Sequence, residues 1–316
     1  MVNIPIVAYV LVAVCVFGSA IQSPLKKWYQ AKSSRGIFIF LAIMTFTAAC
    51  VSSVGALVEG VSYEIGVLPY SIACAVCYAV CMLFAYLALA CGPLALTALI
   101  VSYSLILPTA YGLLFFDSPL YLSQVVGFAV LLISLYLVNM TKEKKATDEL
   151  PDAVDPDAAG QKQKIPAKWY LYAALLFVGN GGVAVAQQAQ QRAFPDLYKN
   201  SFMFVALALV TVFYLACALV REREDLKDTL RLGALPAVLC GIVNGVTNLI
   251  IVAMTLSTVV PIFVFFPIVS AGGVLVSYVI SVLIFKEKFS AWQKIGILLG
   301  LISLVFLNLT LVRIWR

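Results

Sequence analysis

The sequence predicts an all-α integral membrane protein whose ten transmembrane helices form two inverted five-helix repeats. Composition is the first reason. Of 316 residues, 63% are hydrophobic and 11% charged, with a mean hydropathy of +1.03, far too little polar surface for a water-soluble globule. Spacing is the second. Crossing about 30 Å of hydrocarbon takes roughly 20 apolar residues, and the apolar runs are ten: 4–22, 36–58, 68–90, 93–115, 120–140, 168–190, 200–220, 233–255, 260–284 and 290–312. Self-similarity is the third. Gly296–Asn308, GILLGLISLVFLN, moved back 169 residues, falls on Gly127–Asn139, GFAVLLISLYLVN, with identities at six of thirteen positions. The same offset pairs Gln124 with Gln293 and Phe116 with Phe285, and Leu68-Pro69 recurs as Leu235-Pro236 after 167 residues. Leu identities are cheap in apolar segments, whereas Gly, Ser, Gln and Asn identities at one offset are not. An odd number of helices per copy gives the copies opposite orientations, and the absence of alternating apolar and polar positions argues against a transmembrane barrel.

The first copy covers 1–140 and the second 167–316. The first run carries a signal-like Gly18-Ser19-Ala20, but no Lys or Arg precedes its apolar core and it has a repeat partner in the sixth run, so it reads as a permanent span. Between the copies, 141–166 is rich in Pro, Asp and Lys and too polar to bury a core. It reads as a flexible cytoplasmic linker, a spacer or else a regulatory docking site. Of 21 basic residues, 17 fall in or beside the linker and the loops after runs 1, 7 and 9, and 4 (Arg192, Lys199, Arg313, Arg316) on the other side. The basic side is cytoplasmic by the positive-inside rule, which places both termini outside and makes the protein a multi-pass component of the cytoplasmic (inner or plasma) membrane. The net charge of +6 is thus a topology signal and carries no nucleic-acid inference.

The eight cysteines, among them Cys74, Cys77 and Cys81 on one helical face, lie in apolar context in a chain without His. They read as packing residues rather than disulfide or metal ligands. Gly241 with Gly245 and Gly296 with Gly300 are GxxxG spacings that bring helix backbones together. No cofactor site is readable.

An ionisable residue held at depth is the usual mark of function in a membrane chain. None falls in the core of the ten runs: Lys26 and Lys27 follow the first run, Lys168 and Lys294 sit near the starts of the sixth and tenth, and all fifteen acids lie in loops or at helix edges. That predicts transport without an intramembrane carboxylate for proton coupling. Candidate substrate contacts are therefore uncharged. The sixth run is interrupted by Gly179-Asn180-Gly181-Gly182, and the first has Ser19 and Gln22 at comparable depth. Gly-rich interruptions either expose backbone to a substrate or let helices pack closely. Asn244 and Asn248, one helical turn apart, share a face and need polar partners or a wet cavity. Their repeat equivalents are Cys77 and Cys81. Tyr103 and Ser270 complete the candidate set, and Pro108 and Pro267 are positions where their helices can bend.

Five plus five helices, with a short loop Phe285-Lys286-Glu287-Lys288-Phe289-Ser290 followed by Gln293, Gly296 and the LISL run, resemble the drug/metabolite transporter superfamily, within it the EamA-like ten-helix permeases. The resemblance implies a central cavity between helices 1–4 and 6–9, helices 5 and 10 at the periphery, alternating access and export. The chain departs from the pattern at the fourth hairpin, where Ser118 aligns with Glu287 and Asp117 is one place off, and in the orientation of its termini. The expected function is secondary transport of a small polar or amphipathic, amino-acid-like metabolite, with the substrate and the bilayer as partners. A membrane-embedded sensor shares this cavity chemistry. An integral-membrane enzyme would need a His, Asp or Glu constellation that the chain does not offer.

Overall fold

The computed structural model describes residues 5–33, 35–58, 60, 62–104, 106–115, 120–139, 166–195, 197–254, 262–287, 289–308 and 313–315. The linker up to residue 165 and residues 116–119 lie outside these. Among the described residues the chain is almost wholly helical: α1 Pro5–Lys32, α2 Ile37–Val58, a 3-10 turn Ile65–Val67, α3 Leu68–Cys91, α4 Leu94–Tyr103, α5 Ile106–Phe115, α6 Leu122–Asn139, α7 Ala167–Ala193, α8 Lys199–Arg221, α9 Leu226–Met254, α10 Ile262–Leu283 and α11 Ala291–Asn308. Two short strands, β1 Leu120–Tyr121 and β2 Arg313–Trp315, pair antiparallel. Seven stretches (6–32, 37–58, 65–91, 94–112, 167–193, 199–221 and 226–251) are long and apolar enough to cross a membrane; 122–134, 268–283 and 291–307 are shorter and apolar.

Two helices differ instructively from the apolar runs. The first run ends at Ser23-Pro24, yet α1 continues through Pro24 for two further turns and carries Lys26 and Lys27 with it. The missing Pro N–H removes one ladder bond, a loss tolerated where neighbouring helices hold the segment. The fourth run breaks at Ser104. Pro108 has no N–H to give the Ser104 carbonyl, which accepts instead from Leu107 N–H at 3.0 Å, and α4 ends where α5 begins.

The exterior is apolar: Val58 and Val220 are each 83% exposed, and Leu114, Ile6 and Phe115 are scarcely more covered. The largest fully buried side chains include four tyrosines, Tyr29, Tyr86, Tyr103 and Tyr214. Apolar groups outside and hydroxyls inside suit a helical bundle in lipid, and the long apolar helices fit a multi-pass membrane protein.

α2 packs antiparallel on α8, and α6 antiparallel on α11. Thr45 meets Thr211, and Gly55 meets Asn200, across α2 and α8. Ser134 donates to Gly296 O while Gly127 abuts Leu307 across α6 and α11. Further contacts join α1 to α9, α7 to α3, α2 to α9 and α8 to α3. Small residues make the close approaches. Gly241 lies on Met44 O and Thr47, and Gly245 on Val51, which brings α9 onto α2 as the GxxxG spacing predicts.

One end of the bundle is laced by polar contacts. Gly36, in the left-handed region at φ 71°, turns the chain from α1 into α2, and Glu222 accepts from Ile39 N–H at the start of α2 at 3.0 Å. Arg35 pairs with Asp225 at 3.6 Å. Lys286, also at positive φ (51°), turns the loop after α10, and Glu287 there accepts from Leu94 N–H at 3.1 Å, from Ser281 and from Lys27. The loops after α1, α8 and α10, three of the basic segments singled out by sequence, therefore share this end.

Candidate functional site

Where α1, α3 and α9 meet, a chain of hydrogen bonds joins side chains from both halves of the sequence. Tyr78 on α3 donates to Asn244 Oδ1 at 2.7 Å, and Asn248 Nδ2 donates to the same oxygen at 3.2 Å. Asn244 Nδ2 donates to Gln22 Oε1 on α1 at 3.2 Å, and Gln22 Nε2 turns back to Gly18 O at 3.3 Å. Helical geometry explains the assembly: Gly18 and Gln22 are one turn apart on α1, Asn244 and Asn248 one turn apart on α9. Gly18 has no Cβ, so Thr247 and Val243 come close enough to bring the two amide rows together. Gln22, Asn244 and Asn248 are half-buried. Amides in a lipid-embedded bundle require such partners, since an unpaired one costs a few kcal/mol.

Asn180 belongs to a neighbouring arrangement. Its Nδ2 donates to Val101 O at 3.2 Å and to Ser104 Oγ at 2.5 Å, and its Oδ1 accepts from the Cys81 thiol at 3.5 Å. It thus holds the break between α4 and α5, where helical bonding is interrupted. The surrounding glycines resolve the two readings of the sixth run in favour of packing. α7 is continuous from Ala167 to Ala193. A Cβ on Gly179 would stand 2.7 Å from the Cys81 backbone nitrogen, one on Gly182 2.7 Å from Cys77 Sγ, and one on Gly181 2.8 Å from Ser104 O. These glycines serve close approach to α3, α4 and α5. Asn180 joins Asn244 and Asn248 only through α3, by way of Cys81 and Tyr78 three residues apart.

The remaining candidates disperse. Ser19 donates to Val16 O at 2.8 Å and faces Gly273 on α10, with Ser270 one turn earlier on that helix and half-buried. Tyr103 is fully buried away from the amides. It bonds Ser134 at 2.6 Å and lies on Gly300, fastening α4 to α6 and α11. The eight cysteines are free thiols, and no group of three or more His, Cys, Asp or Glu that could hold a metal ion occurs among the described residues.

No family model matches this chain, and no curated protein does. Likeness is found at the level of structure. Twenty-two chains of known structure match; one, a solved structure known only as "Crystal structure of protein", superposes with a TM-score of 0.57 at 16% identity over 95% of this chain and 98% of its own. At that identity the likeness establishes a shared fold and says nothing of chemistry.

Sequence reasoning missed Tyr78, the α3 member of the network, because a Tyr inside an apolar run has no distinguishing spacing. It also misplaced Lys26. The continuation of α1 puts Lys26 one turn beyond Gln22, on the same face, and only 4% exposed. Its Nζ has the Met82 sulfur at 4.0 Å, and the Cys81 and Cys240 thiols lie within electrostatic reach. Lys26, expected in the loop after the first run, lies instead within α1 and is buried in the bundle. The signal was present in the sequence: Gln22, Lys26 and Gln30 recur every four residues, which is the spacing of one helical face.

Proposed function

We propose that this chain is a secondary transporter of a small polar, amino-acid-like metabolite, built as a ten-helix inverted repeat of the EamA-like kind and working by alternating access. The observation that carries the reading is the Gln22–Asn244–Tyr78–Asn248 network: polar side chains drawn from both halves, gathered inside a bundle whose exterior is apolar. Antiparallel packing of corresponding helices supports the inverted repeat, since two oppositely inserted halves that rock against one another would alternate access to a site between them. A network whose members bond chiefly to one another exchanges internal amide bonds for bonds to a substrate with little net loss of hydrogen bonding. Clustering of the basic loops at one end supports assigning that end to the cytoplasm and the termini to the outside.

The test is reconstitution of the full chain into proteoliposomes and flux of a radiolabelled panel of L-amino acids, hydroxy acids, sugars and amines, with Asn244→Leu alongside. Saturable flux of a panel member, lost in the variant, is the expected result. Absence of flux for every class, from protein shown to be folded and inserted, would sink the reading.

A further inference from the structure

We infer that Lys26 is the anchor for a carboxylate on the transported molecule, so that the substrate class is a monoanionic or zwitterionic carboxylate; this rests on the transporter reading above. Lys26 and Glu222 are the two most deeply buried charged residues among the described residues. Their situations differ. Glu222 accepts from Ile39 N–H at a helix start, a position that suits a carboxylate. Lys26 has no carboxylate within ion-pair distance among the described residues, and the Met82 thioether at 4.0 Å is a weak acceptor for an ammonium with three donors. The other acid buried at this end, Glu287, is occupied by Lys27, Ser281 and the Leu94 amide.

An ammonium taken out of water without a counter-charge is costly and needs compensation from outside the side chains present. The surroundings define what would compensate. Gln22 lies one turn to one side and connects to the amides of Asn244 and Asn248. Gln30 lies one turn to the other, donating to Tyr86 O at 2.6 Å, while Gln30 Oε1 and the buried Tyr86 hydroxyl complete no hydrogen bond. A single cation flanked by neutral donors and acceptors balances one negative charge and leaves amide oxygens to accept from an ammonium or hydroxyl on the same molecule. A phosphate dianion would remain undercompensated, and an organic cation would meet like charge.

The experiment uses the full chain in proteoliposomes and in detergent, as wild type, Lys26→Met and Lys26→Arg. Probes are the L-amino acids, their carboxamides, and pyruvate and lactate as carboxylates without an amine. Flux and ligand-induced shifts in the thermal unfolding midpoint are both read. Wild type should carry one or more carboxylates, and its carboxamide about 30-fold or more slowly; Lys26→Met should lose carboxylate flux by about the same factor while Lys26→Arg keeps most of it. Lys26→Met should unfold no earlier than wild type, because it removes a buried charge. Flux confined to carboxamides or amines, or carboxylate flux unchanged in Lys26→Met, overturns the inference and leaves transport standing. A Lys26-dependent thermal shift with carboxylates but no flux upholds the anion site and overturns transport. Neither flux nor shift with any probe overturns both.

Discussion

Asn244 is the residue on which the polar interior turns, because it alone accepts from Tyr78 and Asn248 and donates to Gln22. Asn244→Leu makes α9 more apolar, so membrane insertion should be unimpaired. The Tyr78 hydroxyl and the Gln22 carbonyl each lose a partner, at a stability cost of about 1–2 kcal/mol. Flux should drop by about tenfold or more, the equivalent of one substrate hydrogen bond. Uptake and gel-filtration monodispersity measured on the same preparation separate the two effects, and parallel loss of both would assign Asn244 to packing alone. Glu287 invites the complementary test. Its carboxylate ties together α1 through Lys27, α4 through the Leu94 amide and α10 through Ser281, and it is largely shielded from solvent. Glu287→Ala leaves the Lys27 ammonium only the Gly92 carbonyl and the Phe285 ring, and uncaps the N-terminus of α4, and should lower stability by about 1–3 kcal/mol. Thermal unfolding in detergent reads this, and Lys27→Met should cost less because Glu287 keeps its amide and hydroxyl donors.

At the scale of elements, what distinguishes the bundle is how closely α7 approaches α3. Gly179 faces the backbone of Cys81, with its nitrogen and Cα within 3.0 Å of an added Cβ, whereas Gly182 faces only the Cys77 side chain. Backbone cannot yield as a thiol rotamer can. Gly179→Ala should therefore destabilise by about 1–3 kcal/mol and Gly182→Ala by less, an order read from unfolding midpoints and reversed only if α7 sits differently. The break between α4 and α5 is legible in part. Pro108 marks it in the sequence, but the amide that satisfies it, Asn180, comes from 76 residues beyond Ser104 and was read as a substrate contact because local sequence does not reveal which of two helices a polar side chain faces. Ser23-Pro24 misled in the opposite sense: it looks like a helix end, and the helix runs on.

For the whole molecule, the loops after α1, α8 and α10 come together at one end, as a strict alternation of spans would require. If that end is cytoplasmic, protease added to intact cells will leave the linker around Asp155 uncut, and permeabilisation will expose it. Cutting before permeabilisation would reverse the orientation of every helix. The polar network joins α1 and α3 to α9, so a motion that tilts one half against the other must break or carry the bond between Gln22 and Asn244.

The sequence by itself determined the all-helical, lipid-compatible class, because the bilayer demands long apolar runs and that demand is written in composition. It also determined the internal echo, since the Gly, Ser, Gln and Asn identities near Gly127 and Gly296 persist at one offset, and it nominated the amides at 22, 244 and 248. Tertiary structure alone decided which polar residues meet. Tyr103 bonds Ser134, Asn180 bonds Ser104, Tyr78 joins Asn244, and Lys26 was carried inside by a helix that did not stop at its proline. The reason is physical: apolarity along a chain is a local property that the solvent reads directly, whereas the partner of a buried polar group is set by the rotation and register of a helix far away in sequence.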